Sequence, residues 1–207
     1  MLNIADLMRT APVIPVIVIE RVADAEPLAR ALVAGGLKVL EVTLRTAAAL
    51  DAIQAMASVP DAIVGAGTVL DEAQFESAMA AGARFMISPG YSDVLLGAAT
   101  RAAVPWLPGV ATATEIMRAR SAGLRHLKFF PAESSGGVAA LKAYAAVFPD
   151  VAFCPTGGIS PSNASQYLAV ANVACVGGSW VTPADALKSG DWARIERMAA
   201  QAFRLHG

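Results

Sequence analysis

The stretch "AIVGAGTVLDEAQFESAMAAGARFMISP", residues 62–89, contains the pattern that repeats along this chain. It begins and ends with a short apolar run typical of a buried strand, and the residues between have helical spacing with a glycine as stop signal. Asp71 precedes the helical part, where an N-cap is expected. A strand, a helix and a second strand in this order predict a parallel βαβ unit.

The same unit recurs over the whole length of the chain. Short apolar, often β-branched runs alternate with alanine-rich helical stretches, at a spacing of roughly 20 to 25 residues. In one of these helices, Thr112 followed by Glu115 predicts a capping box. Eight strand candidates begin at Pro12, Lys38, Ala62, Ala83, Val104, His126, Val151 and Val173.

Eight β–α units in 207 residues predict an α/β fold, a small (β/α)8 TIM barrel. No proline-, glycine- or serine-rich linker divides the chain, so we expect residues 1–207 to form a single barrel domain. The first ten residues are expected to form a short helix over the N-terminal end of the barrel. An open doubly wound sheet is the alternative, but no GxGxxG follows the first strand candidate.

Composition and charge exclude several classes of partner. Sixteen basic and seventeen acidic residues give a net charge of −1 without a basic stripe, so no nucleic-acid partner is expected. The apolar runs are far shorter than the ~20 residues that span a bilayer, so no membrane association is expected. The start, "MLNIADLMRT", lacks the features of a signal peptide, which predicts a cytoplasmic protein.

No metal site is expected from the histidines and cysteines. Cys154 and Cys175 lie in apolar runs and form no CxxC pair, so they are interpreted as inert core thiols. His126 and His206 are the only histidines, and neither belongs to an HxH or HExxH pattern.

Alternation along the strands predicts a cluster of charged residues at one cavity. Side chains of barrel strands point alternately to the helices and to the interior, which places Glu41, Arg45 and Lys128 inside or at the mouth. A Glu41–Lys128 ion pair could be purely structural. An amine in an apolar pocket is also the reagent for Schiff-base chemistry on a carbonyl substrate. Burial and Arg45 favour the neutral amine and Glu41 the ammonium, and the sequence leaves open which prevails.

Two glycine pairs close the last two strand candidates. Loops after strands seven and eight of such barrels often bind phosphate through backbone N–H groups, so Gly157–Gly158 and Gly177–Gly178 predict a phosphate site. Ser179 could add a hydroxyl, and Thr156 could contact substrate or serve in packing. Two other strand-end residues, Thr68 and Pro89, have a structural interpretation from chemistry alone, and Phe130 is interpreted as a cavity wall.

The motifs together resemble a known family. "VLEVTLRT", "IVGAGTV", "ISPG", "LKFFPAE", "FCPTGGIS" and "GGSW" are similar to those of the 2-keto-3-deoxy-6-phosphogluconate (KDPG) aldolase family, in family order and over nearly the whole chain. The resemblance implies a class I aldolase that uses neither a metal nor another cofactor.

Residue by residue, the resemblance implies specific roles. Lys128 matches the Schiff-base lysine and Glu41 the general acid/base, and Arg45 and Thr68 match the residues that hold the pyruvate carboxylate. The remaining matches are to residues that line the pocket (Pro89 and Phe130), contact the substrate (Thr156) or form the phosphate loop (Gly157, Gly158, Gly178 and Ser179).

The resemblance also implies a substrate and an assembly. We expect cleavage of 2-dehydro-3-deoxy-6-phosphogluconate to pyruvate and glyceraldehyde 3-phosphate, as in the Entner–Doudoroff pathway, with 4-hydroxy-2-oxoglutarate as a second expected substrate. Members of the family are commonly homotrimers. The alternatives are an aldolase for the galactonate epimer, a sugar-phosphate epimerase or isomerase, and a non-catalytic phosphosugar-binding barrel.

Overall fold

A computed structural model describes residues 2–206 and shows a barrel of parallel strands surrounded by helices. Each strand candidate contains an observed strand, and the short N-terminal helix is present. The strands are β1 Val13–Ile17, β2 Val39–Thr43, β3 Ile63–Gly67, β4 Met86–Ile87, β5 Trp106–Leu107, β6 Gly109–Val110, β7 His126–Phe129, β8 Ala152–Pro155 and β9 Val176–Gly178.

The barrel consists of two parallel sheets that meet at two places. The strand order is β5-β4-β3-β2-β1-β9 in one sheet and β6-β7-β8 in the other. β5 and β6 are two halves of the fifth barrel strand, interrupted at Pro108 because proline has no N–H for the ladder. On the other side, the bridges Phe153–Val173 and Thr156–Gly177 join β8 to the last strand. The arrangement is that of eight barrel strands.

The helices follow the strands and begin at the expected caps. Asp71 accepts a hydrogen bond from the Gln74 N–H, and Thr112 and Glu115 form the predicted capping box. Three 3-10 turns lie at Val22–Asp24, Glu133–Ser135 and Arg204–His206. The α-helices are α1 Ile4–Arg9, α2 Ala25–Ala34, α3 Ala49–Ala57, α4 Glu72–Ala80, α5 Asp93–Ala102, α6 Ala113–Ser121, α7 Gly137–Val147, α8 Ala164–Leu168, α9 Ala184–Ser189 and α10 Trp192–Phe203.

Two apolar clusters determine which end of the barrel is closed. The larger lies between strands and helices and includes Leu40 and Phe129. The smaller fills the barrel interior and is covered by Leu7 and Met8 of α1. Because α1 closes the N-terminal end, a substrate has to enter at the C-terminal ends of the strands. None of the helices within residues 2–206 has the length and apolarity needed to cross a bilayer.

Candidate active site

A buried ion pair crosses the barrel interior. Lys128 of β7 and Glu41 of β2 extend from opposite strands, and Lys128 Nζ lies 3.2 Å from Glu41 Oε1. Lys128 is 6% exposed and Glu41 1%. Two charges buried to this degree lose their hydration, and each depends on the other for compensation.

A glycine on the neighbouring strand makes room for the carboxylate. Gly67 ends β3, which pairs with β2. A Cβ atom at Gly67 would lie 2.2 Å from Glu41 Oε1 and 2.6 Å from Glu41 Cγ. Only a residue without a side chain therefore permits this position of Glu41. Sequence analysis did not single out Gly67, although its place in "VGAGT" beside the strand of Glu41 was a usable signal.

The floor beneath the pair is apolar and contains both cysteines. Cys154 and Cys175 are free thiols in the smaller apolar cluster, as expected of core residues. Contact with Cys154, burial and the Glu41 carboxylate all raise the pKa of the Cys175 thiol well above its usual value. Cys175 therefore stays protonated, and a protonated thiol is a poor nucleophile.

Above the pair, a cavity of about 170 Å³ opens between the ends of the strands. The Phe130 ring links the pair to this cavity, because its centroid lies 5.1 Å from Lys128 Nζ. A larger cavity of about 610 Å³ adjoins it and shares Val16 and Ser179. The smaller cavity is lined by Val16, Arg45, Phe130, Thr156, Gly157, Gly158, Ile159, Gly177 and Ser179.

Arg45 is held in place by a chain of hydrogen bonds that starts at the first strand. Its Nε donates to Thr43 Oγ1 at 3.1 Å, and the Thr43 hydroxyl donates to the Ile17 carbonyl at 2.8 Å. This arrangement fixes the position of the guanidinium at the cavity wall. Thr43 was not a predicted site residue, although its shared parity with Glu41 and Arg45 placed it on the interior side.

The glycine loop after β8 offers hydrogen-bond donors to the cavity. Gly157 and Gly158 have φ values of 101° and 80°, a region that favours glycine. Within residues 2–206, the backbone N–H groups of Gly158 and Ser179 donate to no backbone carbonyl. Free donors at the rim of one cavity make an anion site chemically reasonable.

The second glycine pair has a different geometry from the first. Gly178 lies in β9, pairs with Pro15 and packs against the Trp180 ring, and it is not among the residues that line the cavity. Gly177 lines the cavity instead, where a Cβ atom would lie 2.2 Å from Thr156 Oγ1. Gly177 therefore leaves space for the Thr156 side chain.

Two further predicted residues lie outside this cavity. Thr68 directly follows β3 with φ 59°, an uncommon conformation for a β-branched residue. Pro89 follows β4, and its backbone packs against Gly109. A Cβ atom added at Gly109 would lie 2.0 Å from the Pro89 carbonyl oxygen. Both stand at the C-terminal ends of strands, but neither lines the 170 Å³ cavity.

Comparison with known proteins identifies the family. A family model described as KDPG and KHG aldolase matches residues 4–198. The chain belongs to this family. The KHG/KDPG aldolase of Escherichia coli is 55% identical over 197 residues, which are 95% of this chain and 92% of that protein.

Solved structures of relatives have the same fold. The 2-keto-3-deoxy-6-phosphogluconate aldolase of Zymomonas mobilis has a TM-score of 0.94 and 51% identity, over 99% of this chain and 98% of that one. The KDPG aldolase of Legionella pneumophila, with pyruvate captured as a covalent carbinolamine intermediate, has a TM-score of 0.94 and 48% identity, over 96% and 97%. The predicted family, barrel fold and aldolase class are confirmed.

Proposed function

We propose that this chain cleaves 2-dehydro-3-deoxy-6-phosphogluconate to pyruvate and glyceraldehyde 3-phosphate through an imine on Lys128. The observation that carries the proposal is the buried contact of 3.2 Å between Lys128 Nζ and Glu41 Oε1 beside a cavity with free N–H donors. The carbinolamine captured in the Legionella relative is the adduct expected when an amine adds to the ketone of pyruvate.

Imine formation starts with a proton transfer within the pair. Glu41 takes a proton from the Lys128 ammonium, and the neutral amine then attacks the C2 ketone of the substrate. The lone pair of nitrogen forms the new N–C bond, and a proton passes from this nitrogen to the carbonyl oxygen to give the neutral carbinolamine. Protonation by Glu41 lets that hydroxyl leave as water, and an iminium ion remains.

The iminium ion then accepts the electrons of the breaking bond. Glu41, now a carboxylate, removes the proton of the C4 hydroxyl. The electrons of the C3–C4 bond move into the iminium to form an enamine, and glyceraldehyde 3-phosphate leaves. Glu41 returns the proton to C3, and water releases pyruvate and restores Lys128. One carboxylate alternates between base and acid throughout.

The other residues bind the two ends of the substrate. Arg45 offers a planar pair of donors suited to the carboxylate, and Thr68 is assigned to the same end. Phe130 is assigned to the wall of the cavity and Thr156 to the middle of the substrate, and Pro89, outside this cavity, is assigned to the strand ends next to the substrate. The phosphate is assigned to backbone donors at the cavity rim and to the strand beside them, at Gly157, Gly158, Gly178 and Ser179.

Borohydride trapping tests the proposed lysine. Reduction in the presence of pyruvate should leave a 1-carboxyethyl group on the Lys128 nitrogen, which peptide mass spectrometry locates. Lys128→Arg should abolish trapping. The matched control is Lys142→Arg on α7, away from the cavity, which should be trapped like the wild type. Labelling of a different lysine, or of none, would refute the mechanism.

The role of Glu41 is tested by Glu41→Gln. The amide keeps the shape of the side chain but cannot transfer the proton, so turnover should fall by about 10²- to 10⁴-fold. The circular dichroism spectrum should stay that of the wild type. Near-normal turnover would reduce Glu41 to a structural partner of Lys128.

A second candidate substrate is 4-hydroxy-2-oxoglutarate. The Escherichia coli relative is named as a KHG/KDPG aldolase, which favours additional activity on 4-hydroxy-2-oxoglutarate. Measurement of kcat/KM for this compound, for the gluconate substrate and for its galactonate epimer would show which of the three is the preferred substrate. A phosphosugar-binding barrel without catalysis would bind these compounds and give no trapped imine.

We also propose a cytoplasmic homotrimer in which residues 1–207 act as a single domain. In support, three apolar side chains on consecutive β–α units, Leu70, Val94 and Met117, are each more than half exposed. Such surface is often covered by another subunit. Sedimentation equilibrium gives the subunit number, and a monomer would contradict this assembly.

A further inference from the structure

A hydrogen bond outside the catalytic pair lies behind the glycine loop. The Tyr167 hydroxyl of α8 donates to Glu133 Oε1. Tyr167 is 1% exposed, and Glu133 opens the 3-10 turn that follows β7. Neither residue lines the 170 Å³ cavity, so neither is in position to touch a substrate there.

Glu133 contacts the glycine loop with both its backbone and its side chain. Its N–H donates to the Gly157 carbonyl at 3.1 Å. A Cβ atom at Gly158 would lie 2.4 Å from Glu133 Cγ and 2.7 Å from Glu133 Cβ. The Glu133 side chain therefore packs directly against the Gly158 backbone, and a shift of one would move the other.

Helix α8 holds the same loop at a second point. Asn163, which precedes α8, donates from Nδ2 to the Gly158 carbonyl at 3.0 Å, and its Oδ1 accepts from the Ser160 N–H at 2.8 Å. Gly137 leaves space for the Tyr167 hydroxyl, because a Cβ atom added at Gly137 would lie 3.1 Å from Tyr167 Oη. The loop is thus fixed from α8 and from the turn after β7.

The charge of Glu133 makes its orientation important. A carboxylate beside Gly158 would repel an anion at the free N–H group of Gly158. The hydrogen bond from Tyr167 holds Glu133 Oε1 next to helix α8. Burial and the Glu133 carboxylate both raise the pKa of the Tyr167 phenol, so it remains a hydrogen-bond donor at neutral pH.

We propose that Glu133 and Tyr167 are positioning residues, which hold the Gly157–Gly158 loop in the conformation that binds the substrate phosphate. The inference rests on the proposed function, because it requires that this loop is the phosphate site. It goes beyond that function by assigning the geometry of the loop to a pair of residues that do not contact the substrate.

Steady-state kinetics on two substrates test the pair. One substrate is the phosphorylated keto acid, and the other is the same keto acid without its phosphate. Tyr167→Phe removes the hydroxyl and keeps the buried ring. We expect KM for the phosphorylated substrate to rise about five- to tenfold, the size of effect that the loss of one typical intramolecular hydrogen bond has. The kcat, and both constants for the other substrate, should stay within about twofold of wild type.

The matched control is Tyr144→Phe. The Tyr144 hydroxyl donates to the Ala111 carbonyl at 3.0 Å, so the control removes a tyrosine hydrogen bond from the same protein without touching the loop. Kinetics of this variant should equal those of the wild type on both substrates. A Tyr167→Phe variant with unchanged KM for the phosphorylated substrate, or with equal losses on both substrates, would overturn the inference.

Variants of Glu133 provide a test that does not depend on the folding of Tyr167→Phe. Glu133→Gln keeps an acceptor of the same length and should retain the wild-type KM, whereas Glu133→Ala should raise it as Tyr167→Phe does. Equal KM values for the two variants would also overturn the inference. A wild type that does not prefer the phosphorylated substrate would instead refute the proposed phosphate site, and this inference with it.

Discussion

Replacement of Gly67 by alanine tests whether the position of Glu41 matters to within one ångström. The added Cβ atom would lie 2.2 Å from Glu41 Oε1, and contacts below 3.0 Å essentially never occur. The oxygen therefore has to move by about 0.8 Å, which lengthens its 3.2 Å contact with Lys128 Nζ to about 4.0 Å if it moves outward. At that distance the proton transfer within the pair has no hydrogen bond to follow.

The expected result is a large loss of turnover in a folded protein. A displacement of about 1 Å costs about 100-fold in rate. Overpacking destabilises by about 1–3 kcal/mol, and the lower entropy of the unfolded chain offsets part of this. Turnover is measured by coupling pyruvate release to lactate dehydrogenase, and the free energy of unfolding by urea titration. Borohydride trapping should slow in parallel.

Gly97→Ala is the control for the Gly67 experiment. Gly97 lies on α5, where the nearest atom to an added Cβ atom is the flexible end of Arg101 at 3.1 Å. This variant should keep wild-type turnover, with the stability of α5 unchanged or slightly higher. If Gly67→Ala folds and its turnover stays within about twofold of wild type, the argument from the position of Glu41 is wrong.

Two other substitutions test the role of Arg45 in substrate binding and the contribution of Glu115 to the stability of the fold. Arg45→Lys keeps the charge but loses the planar fork and the bond to Thr43, so KM for pyruvate in the aldol direction should rise about tenfold; an unchanged KM would contradict the assignment of Arg45. Burial opposes ionisation of the Glu115 carboxyl, but hydrogen bonds from Ala111 and Thr112 outweigh it and hold its pKa below the usual range. The charged carboxylate therefore stabilises the fold at neutral pH, and this contribution is lost as the pH falls below about 4, through the lowered pKa. Glu115→Gln should cost about 0.5–1 kcal/mol of unfolding free energy at pH 7 and progressively less in acid, as measured by urea titration at several pH values; a constant difference would refute this.

The barrel could be predicted because its determinants are local. Alternation of apolar strands and capped helices is visible in the sequence, and the parity within "KVLEVTLRT" places Glu41 and Arg45 on the interior side. The same alternation along its own strand places Lys128 on the interior side. These features depend on one element at a time, so no knowledge of distant contacts is needed.

The features that sequence analysis missed depend on pairs of distant elements. The need for glycine at position 67 follows from the contact with Glu41 on the adjacent strand, and the need for glycine at position 177 follows from the contact with Thr156. Neither contact can be read from the sequence. The contact of Tyr167 with Glu133 joins residues 34 positions apart. The break of the fifth strand at Pro108 has a local cause in the proline, but its effect on the sheet depends on the neighbouring strands.

The interruption at Pro108 divides the barrel wall into a long arc, β5-β4-β3-β2-β1-β9, and a short arc, β6-β7-β8. Glu41 belongs to the long arc and Lys128 to the short one. Their separation therefore reports how tightly the two arcs are closed at Pro108 and at the two isolated bridges on the other side. Opening of either seam would move Glu41 and Lys128 apart, so we expect amide hydrogen exchange at the seams to increase over the same temperature range in which activity is lost.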